Sequence, residues 1–474
     1  MAHTVEKIGG TSMDRIDELR DTLILGDRGP DEIYGRIFVV SAFGGITNLL
    51  LEHKKTGERG VFAVFSSGDN EHDWYTRLDR VAGAMKKAHN RILQHPADVE
   101  RADAFVQDRL LGARNCLIDL QRLCSYGHFR LAQNMSQTRE LLAGLGESHS
   151  AFVTTLMLQR AGVEARFVDL SGWCDEDDLT LDERIMSAMD RVDLDCELPI
   201  VTGYAQCREG LMGEYDRGYS EVTFSRLAAL TGAREAIIHK EFHLSSADPN
   251  LVGAGEVKKL GRTNYDVADQ LSNLGMEAIH PKAAKTLRQS GVPLRVTNAF
   301  EPKDPGTLID DQPAESAAVE IVTGLELFAL ELFEQDMVGV KGYDSAILEV
   351  LTRHGVRIVS KVSNANTITH YVDTSMDVLR RVERDLSGIY PSAEVSTRAI
   401  AMASVIGRDL SGLSVLTRGL QAIAGSGLDC IGATQGPRNV DVQFILDRKD
   451  LNAVIAALHG ALVKEDAPNL ARAA

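Results

Sequence analysis

Val5-Glu6-Lys7-Ile8-Gly9-Gly10-Thr11-Ser12 sets a lysine, two consecutive glycines and two hydroxyl residues directly behind a short apolar lead-in, and a helix-forming stretch follows from Asp14 to Leu25. Glycines let a backbone come close to a ligand and turn its N–H groups towards it, and a helix N-terminus favours negative charge. A lysine beside such a turn supplies a mobile cation for phosphate oxygens. The stretch reads as a phosphate cradle between a strand and a helix. It is not a Walker loop, because G-x-x-x-x-G-K-[ST] occurs nowhere in the chain. A Gly-Gly turn is also a common structural element, so the rest of the sequence has to decide.

Outward from this stretch, apolar strand-like runs at Arg36–Val40, Glu164–Asp169, Leu198–Tyr204, Glu235–His239 and Leu294–Asn298 alternate with helical patterns such as Asp98–Cys124. That alternation predicts an α/β domain with a largely parallel sheet covered on both faces. Glu301-Pro302-Lys303-Asp304-Pro305-Gly306-Thr307 has the proline and glycine density of a domain edge. Beyond it lies a repeat of two β-α-β-β-α units. The first runs through Leu325–Leu332, Ser345–His354, Val356–Val362, Thr367–Asp373 and Met376–Leu386. The second runs through Ala399–Ile406, Leu413–Ala424, Leu428–Ala433, Val440–Asp447 and Leu451–Leu462. Gly355 and Gly427 close the first helix of each unit, 72 positions apart. Such tandem modules serve amino-acid sensing or oligomerisation, and pattern alone leaves both open.

The chain has 474 residues and a formal net charge of −17, which argues against nucleic-acid or anionic-membrane partners. No N-terminal signal peptide is read, and no apolar run approaches a membrane span, so the expected location is the cytoplasm. The six cysteines are scattered without a C-x-x-C pair, which fits reduced thiols better than disulfides or zinc.

Four further stretches carry candidate chemistry. Ser41-Ala42-Phe43-Gly44-Gly45-Ile46-Thr47-Asn48 follows a strand, at the end where open α/β sheets bind ligands, although its hydroxyls read equally as turn and cap. Gly144-Leu145-Gly146-Glu147-Ser148-His149-Ser150-Ala151 is expected to open a helix at Phe152–Arg160, with Glu147 either a dipole-matched first-turn residue or a carboxylate for a substrate ammonium. His149 shows no evident partner and reads as structural. In Tyr215-Asp216-Arg217-Gly218-Tyr219-Ser220-Glu221, Arg217 offers a planar fork for a carboxylate, and Glu221 could orient Lys7 or a metal. Ala247-Asp248-Pro249 reads as a turn.

Taken in order, these motifs resemble the aspartate kinases of the amino-acid-kinase superfamily. Lys7-Ile8-Gly9-Gly10-Thr11-Ser12 matches the family's K-F-G-G-T-S with one change, and the motifs at Ser41–Asn48 and Gly146–Ala151 match well. The resemblance implies a three-layer amino-acid-kinase sandwich over residues 1–305, followed by ACT-like regulatory modules at 306–397 and 398–474. It implies ATP and Mg2+ as cofactors, L-aspartate as substrate, an amino-acid effector at the ACT modules and a homodimer. Lys7 and Glu221 become catalytic. Ser41, Thr47, Glu147, Arg217 and Ser220 hold aspartate; Lys7, Gly9, Gly10, Lys240, Asp248 and Pro249 serve the nucleotide. No protein side chains are assigned to a metal.

The departures from the family pattern are local. The usual L-G-R-G-G-S-D loop carries Tyr219 in place of a glycine and Glu221 in place of aspartate. The usual T-D-V-D-G-x-Y-T-A-D-P-R reads His239-Lys240-Glu241-Phe242-His243-Leu244-Ser245-Ser246-Ala247-Asp248-Pro249-Asn250, so Lys240 is expected to replace lost phosphate contacts. Val362-Ser363-Asn364-Ala365-Asn366 lacks an acidic residue of the usual ACT turn, which speaks against lysine or threonine feedback. Members serving ectoine synthesis diverge similarly. A degenerate kinase acting as an amino-acid sensor, or a kinase for another small carboxylate, are the alternatives.

Overall fold

In the computed structural model the apolar runs become one sheet: Thr4–Ile8 (β1), Arg36–Val40 (β2), Ala165–Val168 (β3), Leu198–Thr202 (β4), Glu235–Lys240 (β5), Leu294–Asn298 (β6) and Thr307–Asp310 (β7). The structure describes residues 2–464 except 30–31, 54–55, 69–70, 216–217, 275, 277 and 314–315. Strand order is β3-β4-β2-β1-β5-β6-β7, parallel except for β7. Every residue of β1, β2 and β4 is buried, so the sheet is covered on both faces, as continuous apolar strands require. Described residues of Met1–His243 and Ile279–Asp310 form this first unit, and those of Leu244–Ala278 and Asp311–Ala474 form a second.

Two adjacent charged residues interrupt β1. Side chains alternate along a strand, so Glu6 and Lys7 face opposite sides of the sheet. Glu6 Oε1 accepts from Arg36 Nε at 2.7 Å, and Glu6 Oε2 lies 2.9 Å from His239 Nε2. Burial alone would raise the Glu6 carboxyl, but Arg36 and His239 hold it well below the usual range. Lys7 is thereby kept out of this network, on the other side, where the candidate site is built.

The helices of this unit used below are Gly10–Met13 (α1), Ile46–Leu50 (α2), Glu71–Ile92 (α3), Pro96–Ser125 (α4), Met135–Arg160 (α5), Leu211–Tyr215 (α6) and Tyr219–Leu230 (α7). Two differ from the sequence reading. The first begins at Gly10, inside the glycine turn, and the expected Asp14–Leu25 helix is broken into short pieces. More consequentially, α5 does not begin at Phe152. It runs unbroken from Met135 through Gly144 and Gly146, so Glu147 is a mid-helix residue and not a first-turn cap. The glycines survive in the helix because neighbours occupy the space of a side chain. A Cβ on Gly144 would lie 2.8 Å from the Tyr204 ring, and one on Gly146 would lie 2.9 Å from the Ala42 Cβ.

The second unit holds the repeat: Ile321–Phe333 (β8), Tyr343–Arg353 (α8), Arg357–Ser363 (β9), Thr367–Asp373 (β10) and Met376–Ile389 (α9), then Glu394–Ile406 (β11), Val415–Gly425 (α10), Gly432–Gln435 (β12), Asp441–Leu446 (β13) and Leu451–His459 (α11). Gly355 and Gly427 both take positive φ behind the first helix of their module, as a helix stop demands. The six strands form one antiparallel sheet in the order β9-β10-β8-β11-β13-β12. β8 and β11 pair along their whole length, from Ile321 opposite Ile406 to Phe333 opposite Glu394, so the modules share one sheet. Each keeps its own core. Ile347, Leu351, Leu379, Val382 and Leu386 pack in the first, and Ile423, Phe444, Val454 and Leu458 in the second.

Candidate active site

Three parallel strands end at the site, and their order explains its composition. β1 delivers Lys7 and then Gly9-Gly10; its neighbour β2 delivers Ser41–Asn48; and β4, beside β2, delivers Gly203-Tyr204. Lys7 is 6% exposed, and its Nζ lies 3.8 Å from Glu221 Oε1. Glu221, in the first turn of α7, also accepts from the backbone N–H of His280. Glu221, expected to orient Lys7 or a metal, lies within ion-pair distance of Lys7. Ser12, fully buried, donates to Glu241 Oε1 at 2.8 Å, which ties α1 to the end of β5.

Glu147 is the electrostatic centre. It is 2% exposed, and burial pushes its carboxyl up to about 8, against the opposing effects of Lys7, a Tyr219 hydrogen bond and the backbone N–H groups of Tyr204 and Ala42. Oε2 of this carboxylate has no hydrogen-bond partner among the described residues. A buried carboxylate oxygen without a donor is costly to leave unmade, and a ligand cation is the natural occupant. Backbone shape permits the approach. A Cβ on Gly203 would sit 2.8 Å from the Val40 carbonyl oxygen, 2.9 Å from the Ser220 Cβ and 3.3 Å from Glu147 Oε1. Ser220 is buried beside it, on the first turn of α7.

The remaining expected residues fall into place unevenly. Ser41 donates its N–H to the Ile8 carbonyl and accepts from Ser150 Oγ at its own carbonyl at 2.8 Å, which holds the substrate loop against α5. Thr47 is the second residue of α2, behind Gly45 in left-handed conformation. Lys240 ends β5. Arg217 lies outside the described residues. Asp248 and Pro249 belong to the second unit, where Asp248 Oδ1 caps a short helix by accepting from Asn250 N at 2.8 Å. His149, read as partnerless, has one. Its Nε2 lies 3.2 Å from His89 Nδ1 on α3, and His89 Nε2 lies 3.1 Å from Asp103 on α4. Burial takes His149 down to about 3, so it stays neutral.

A family model described as the amino acid kinase family matches residues 3–298, the span that carries this sheet and site. The chain belongs to the amino acid kinase family. It is 49% identical over 466 residues to Aspartate kinase Ask_Ect of Stutzerimonas stutzeri (strain A1501), covering 98% of each protein. Chloroplastic Aspartokinase 2 of Arabidopsis thaliana is 24% identical over 491 residues, covering 98% of this chain and 84% of the relative. E. coli aspartokinase III in complex with lysine and aspartate shares the fold with a TM-score of 0.73 at 19% identity, over 97% of this chain and 99% of that one. The same enzyme in complex with aspartate and ADP gives a TM-score of 0.70 over 97% and 100%. The fold is thus the amino-acid-kinase sandwich followed by paired ACT-type modules.

Gly203 and Tyr204 lie at this candidate site in this amino acid kinase and were not singled out from the sequence, whereas Tyr219 was noted there only as a departure from the family pattern. Gly203-Tyr204 had a usable signal, because it follows a parallel strand at the same end as Ser41. The cluster of His243, Glu301 and Asp304, whose ligand-type atoms lie within 4.8 Å of one another, was not foreseen either. Its carboxylates already accept from Asn298 Nδ2 and the Gly306 N–H, so it holds its own loop together. A cleft of about 900 Å³ lies between Arg77, Arg80, Lys87 and Arg91 of α3 and the β2 loop at Gly44, Gly45 and Asn48, so it adjoins the site although Lys7, Glu147 and Glu221 do not line it. No helix among the described residues is long and apolar enough to cross a membrane.

Proposed function

We propose that this amino acid kinase transfers the γ-phosphoryl group of ATP to the side-chain carboxylate of L-aspartate, forming 4-phospho-L-aspartate and ADP. The single observation that carries the reading is the buried Glu147 carboxylate, whose Oε2 has no hydrogen-bond partner among the described residues and whose charge is acted on by Lys7. It offers a place for the substrate ammonium within the field of a phosphate-seeking lysine. A β-carboxylate oxygen of aspartate attacks the γ-phosphorus while the bond to the bridging oxygen of ADP breaks. Such transfer needs positioning and charge stabilisation more than covalent help. Lys7, held by Glu221, neutralises the transferring group, with Gly9-Gly10 and Lys240 on the phosphate side. Ser41, Thr47 and Ser220 line the amino-acid side, and Arg217 grips the α-carboxylate.

Mg2+ belongs to this reading as a companion of the nucleotide. When bound, it would neutralise phosphate charge. Division into a catalytic domain at 1–305 and regulatory modules at 306–397 and 398–474, with an amino-acid effector at the modules, completes the proposal. The 49% identical relative supports its aspartate specificity, and the product would open aspartate-family amino-acid or ectoine synthesis.

The test is steady-state turnover with L-aspartate and Mg-ATP, trapping the acyl phosphate with hydroxylamine, for the parent and Glu147→Gln. The parent should form the hydroxamate, and Glu147→Gln should raise KM for aspartate at least tenfold. No hydroxamate from folded protein, or an unchanged KM in the variant, would overturn the reading.

A further inference from the structure

A cluster of cations lines the cleft of about 900 Å³ between α3 and the β2 loop, in a chain whose formal net charge is −17. Among the described residues its walls carry Arg59, Arg77, Arg80, Lys87 and Arg91 against two carboxylates, Asp14 and Glu58. One of these carboxylates is already engaged, because Asp14 Oδ1 accepts from the Gly44 N–H at 2.8 Å. Neither the cleft nor its cations enter the phosphoryl-transfer scheme above.

The pattern begins in the sequence of α3. Trp74, Leu78, Val81, Met85 and Ile92 form its buried face. Arg77, Arg80, Ala84, Lys87 and Arg91 recur every three or four residues on a second face, and all five line the cleft. Carboxylates three or four positions away would balance such cations. Arg80 has Thr76, Arg77, Gly83 and Ala84 at those positions, and Lys87 has Gly83, Ala84, Asn90 and Arg91. Both are exposed, and neither makes a hydrogen bond or ion pair among the described residues. The adjacent Lys86 shows the ordinary alternative, since its Nζ pairs with Asp103 at 3.1 Å. The like-charge pairs Arg77–Arg80 and Lys87–Arg91 therefore cost helix stability, and of the four only Arg91 falls in the last turn, where the dipole favours a cation.

The other two cations of this face are steadied by single contacts. Arg77 Nη1 donates to the Arg59 carbonyl, and Arg91 Nη1 donates to Asp17 Oδ1 at 3.3 Å. Each contact uses one N–H of a five-donor fork. Between the two charged pairs, Ala84 and Ala88 present only methyl groups to the cleft, and the opposite wall of Phe43, Gly44, Gly45, Ile46, Asn48 and Leu49 carries no charge. Arg77 to Arg91 spans about 21 Å of helix axis, and Arg80 to Lys87 about 10 Å. A single carboxylate would meet one fork. Charge spread over this length suits linked anionic groups, and arginine forks match phosphate oxygens in particular. We propose that this cleft is a second anion site, which takes a short chain of linked phosphate groups with Arg80 and Lys87 as its principal contacts and Arg77 and Arg91 towards its ends.

Titration calorimetry with inorganic tripolyphosphate, free of Mg2+, is the test. Lys7 offers phosphates another place, so Lys7→Met is titrated beside the parent, and both should bind. In either background Arg80→Ala with Lys87→Ala should weaken the cleft's binding roughly tenfold by removing two charged contacts. Alanine favours the helix, so these exposed substitutions should fold. Lys87→Ala alone should weaken binding several-fold, whereas Lys86→Ala, the same change on another face of the helix, should leave it near the parental value. Citrate, whose carboxylates sit on a short carbon frame, should bind roughly tenfold more weakly than tripolyphosphate. ATP titrated against Lys7→Met tells a nucleoside-borne chain from a free one: affinity above that of tripolyphosphate and lost with Arg80 and Lys87 assigns the former, and affinity below it the latter. Should Lys7→Met fail to fold, the Lys87→Ala and Lys86→Ala pair in the parent decides. No binding by the parent at millimolar tripolyphosphate, equal affinities in Lys86→Ala and Lys87→Ala, or citrate bound as tightly would each overturn the site, and all three leave the reading of Glu147 and Lys7 untouched.

Discussion

In the proposed site Lys7 and Gly203 contribute in opposite ways, one by charge and one by the absence of a side chain. Lys7 is buried, and its Nζ is held 3.8 Å from Glu221 Oε1, so its cation is preorganised and not recruited from solvent. Lys7→Met keeps the aliphatic stem and removes the charge. We expect kcat to fall about 10²–10³-fold, the usual effect of deleting one preorganised transition-state contact. KM for aspartate should change far less in the same steady-state assay, and a loss confined to KM would move Lys7 to ground-state binding. Gly203 is where Val40, Ser220 and Glu147 converge, with no room for a methyl group. Gly203→Ala should raise KM for aspartate tenfold or more by displacing Glu147 or Ser220, and the variant's activity against aspartate concentration will show it. Neither outcome could be read from sequence. Lys7 was legible because lysine beside Gly-Gly has a chemical meaning of its own, whereas Gly203 matters only for what lies opposite it.

At the scale of elements, α5 is where local rules and tertiary packing disagree. Two glycines within three residues suggest a break, and the break was expected before Phe152. The helix runs through because Tyr204 and Ala42 fill the space above Gly144 and Gly146. Gly146→Ala therefore sets two effects against each other. Propensity favours alanine by about 1 kcal/mol. Contact of the new methyl with the Ala42 Cβ, 2.9 Å away, has no flexible end to yield, and overpacking of this kind costs about 1–3 kcal/mol. The expected net result is a lower urea midpoint. The same helix carries a pH-sensitive contact through His149, buried at about 3, and His89 on α3, which burial also lowers. Below the unfolded histidine value of about 6.5 the unfolded chain takes up a proton that the folded chain refuses. Stability is therefore full above that pH and drains as pH falls, by about 2 kcal/mol at pH 5 for His149 alone. Urea unfolding at pH 7.5 and pH 5 should show a smaller loss in His149→Met than in the parent, and equal losses would refute the assignment.

The whole molecule carries a formal net charge of −17 and, in its second unit, a six-stranded sheet whose two modules join edge to edge through β8 and β11. One sheet face carries a hollow of about 410 Å³ lined by Glu331, Tyr371, Arg398 and Ile431, the last 48% exposed. The homodimer that the family resemblance implies is a separate proposal at this scale. Sedimentation equilibrium should find a dimer at micromolar concentration. A parent that stays monomeric would refute the assembly. The succession of strands and helices, the two-unit repeat with its glycine stops, and the lysine-glycine turn were determined by the sequence itself, because periodicity and turn chemistry are local and are written along the chain. Tertiary structure alone decided that the repeats share one sheet, that Glu147 lies buried in mid-helix with one oxygen open, and that Gly203 stands against Val40, Ser220 and Glu147. These depend on segments far apart in sequence arriving within van der Waals distance, and no spacing along a single chain records which of them will meet.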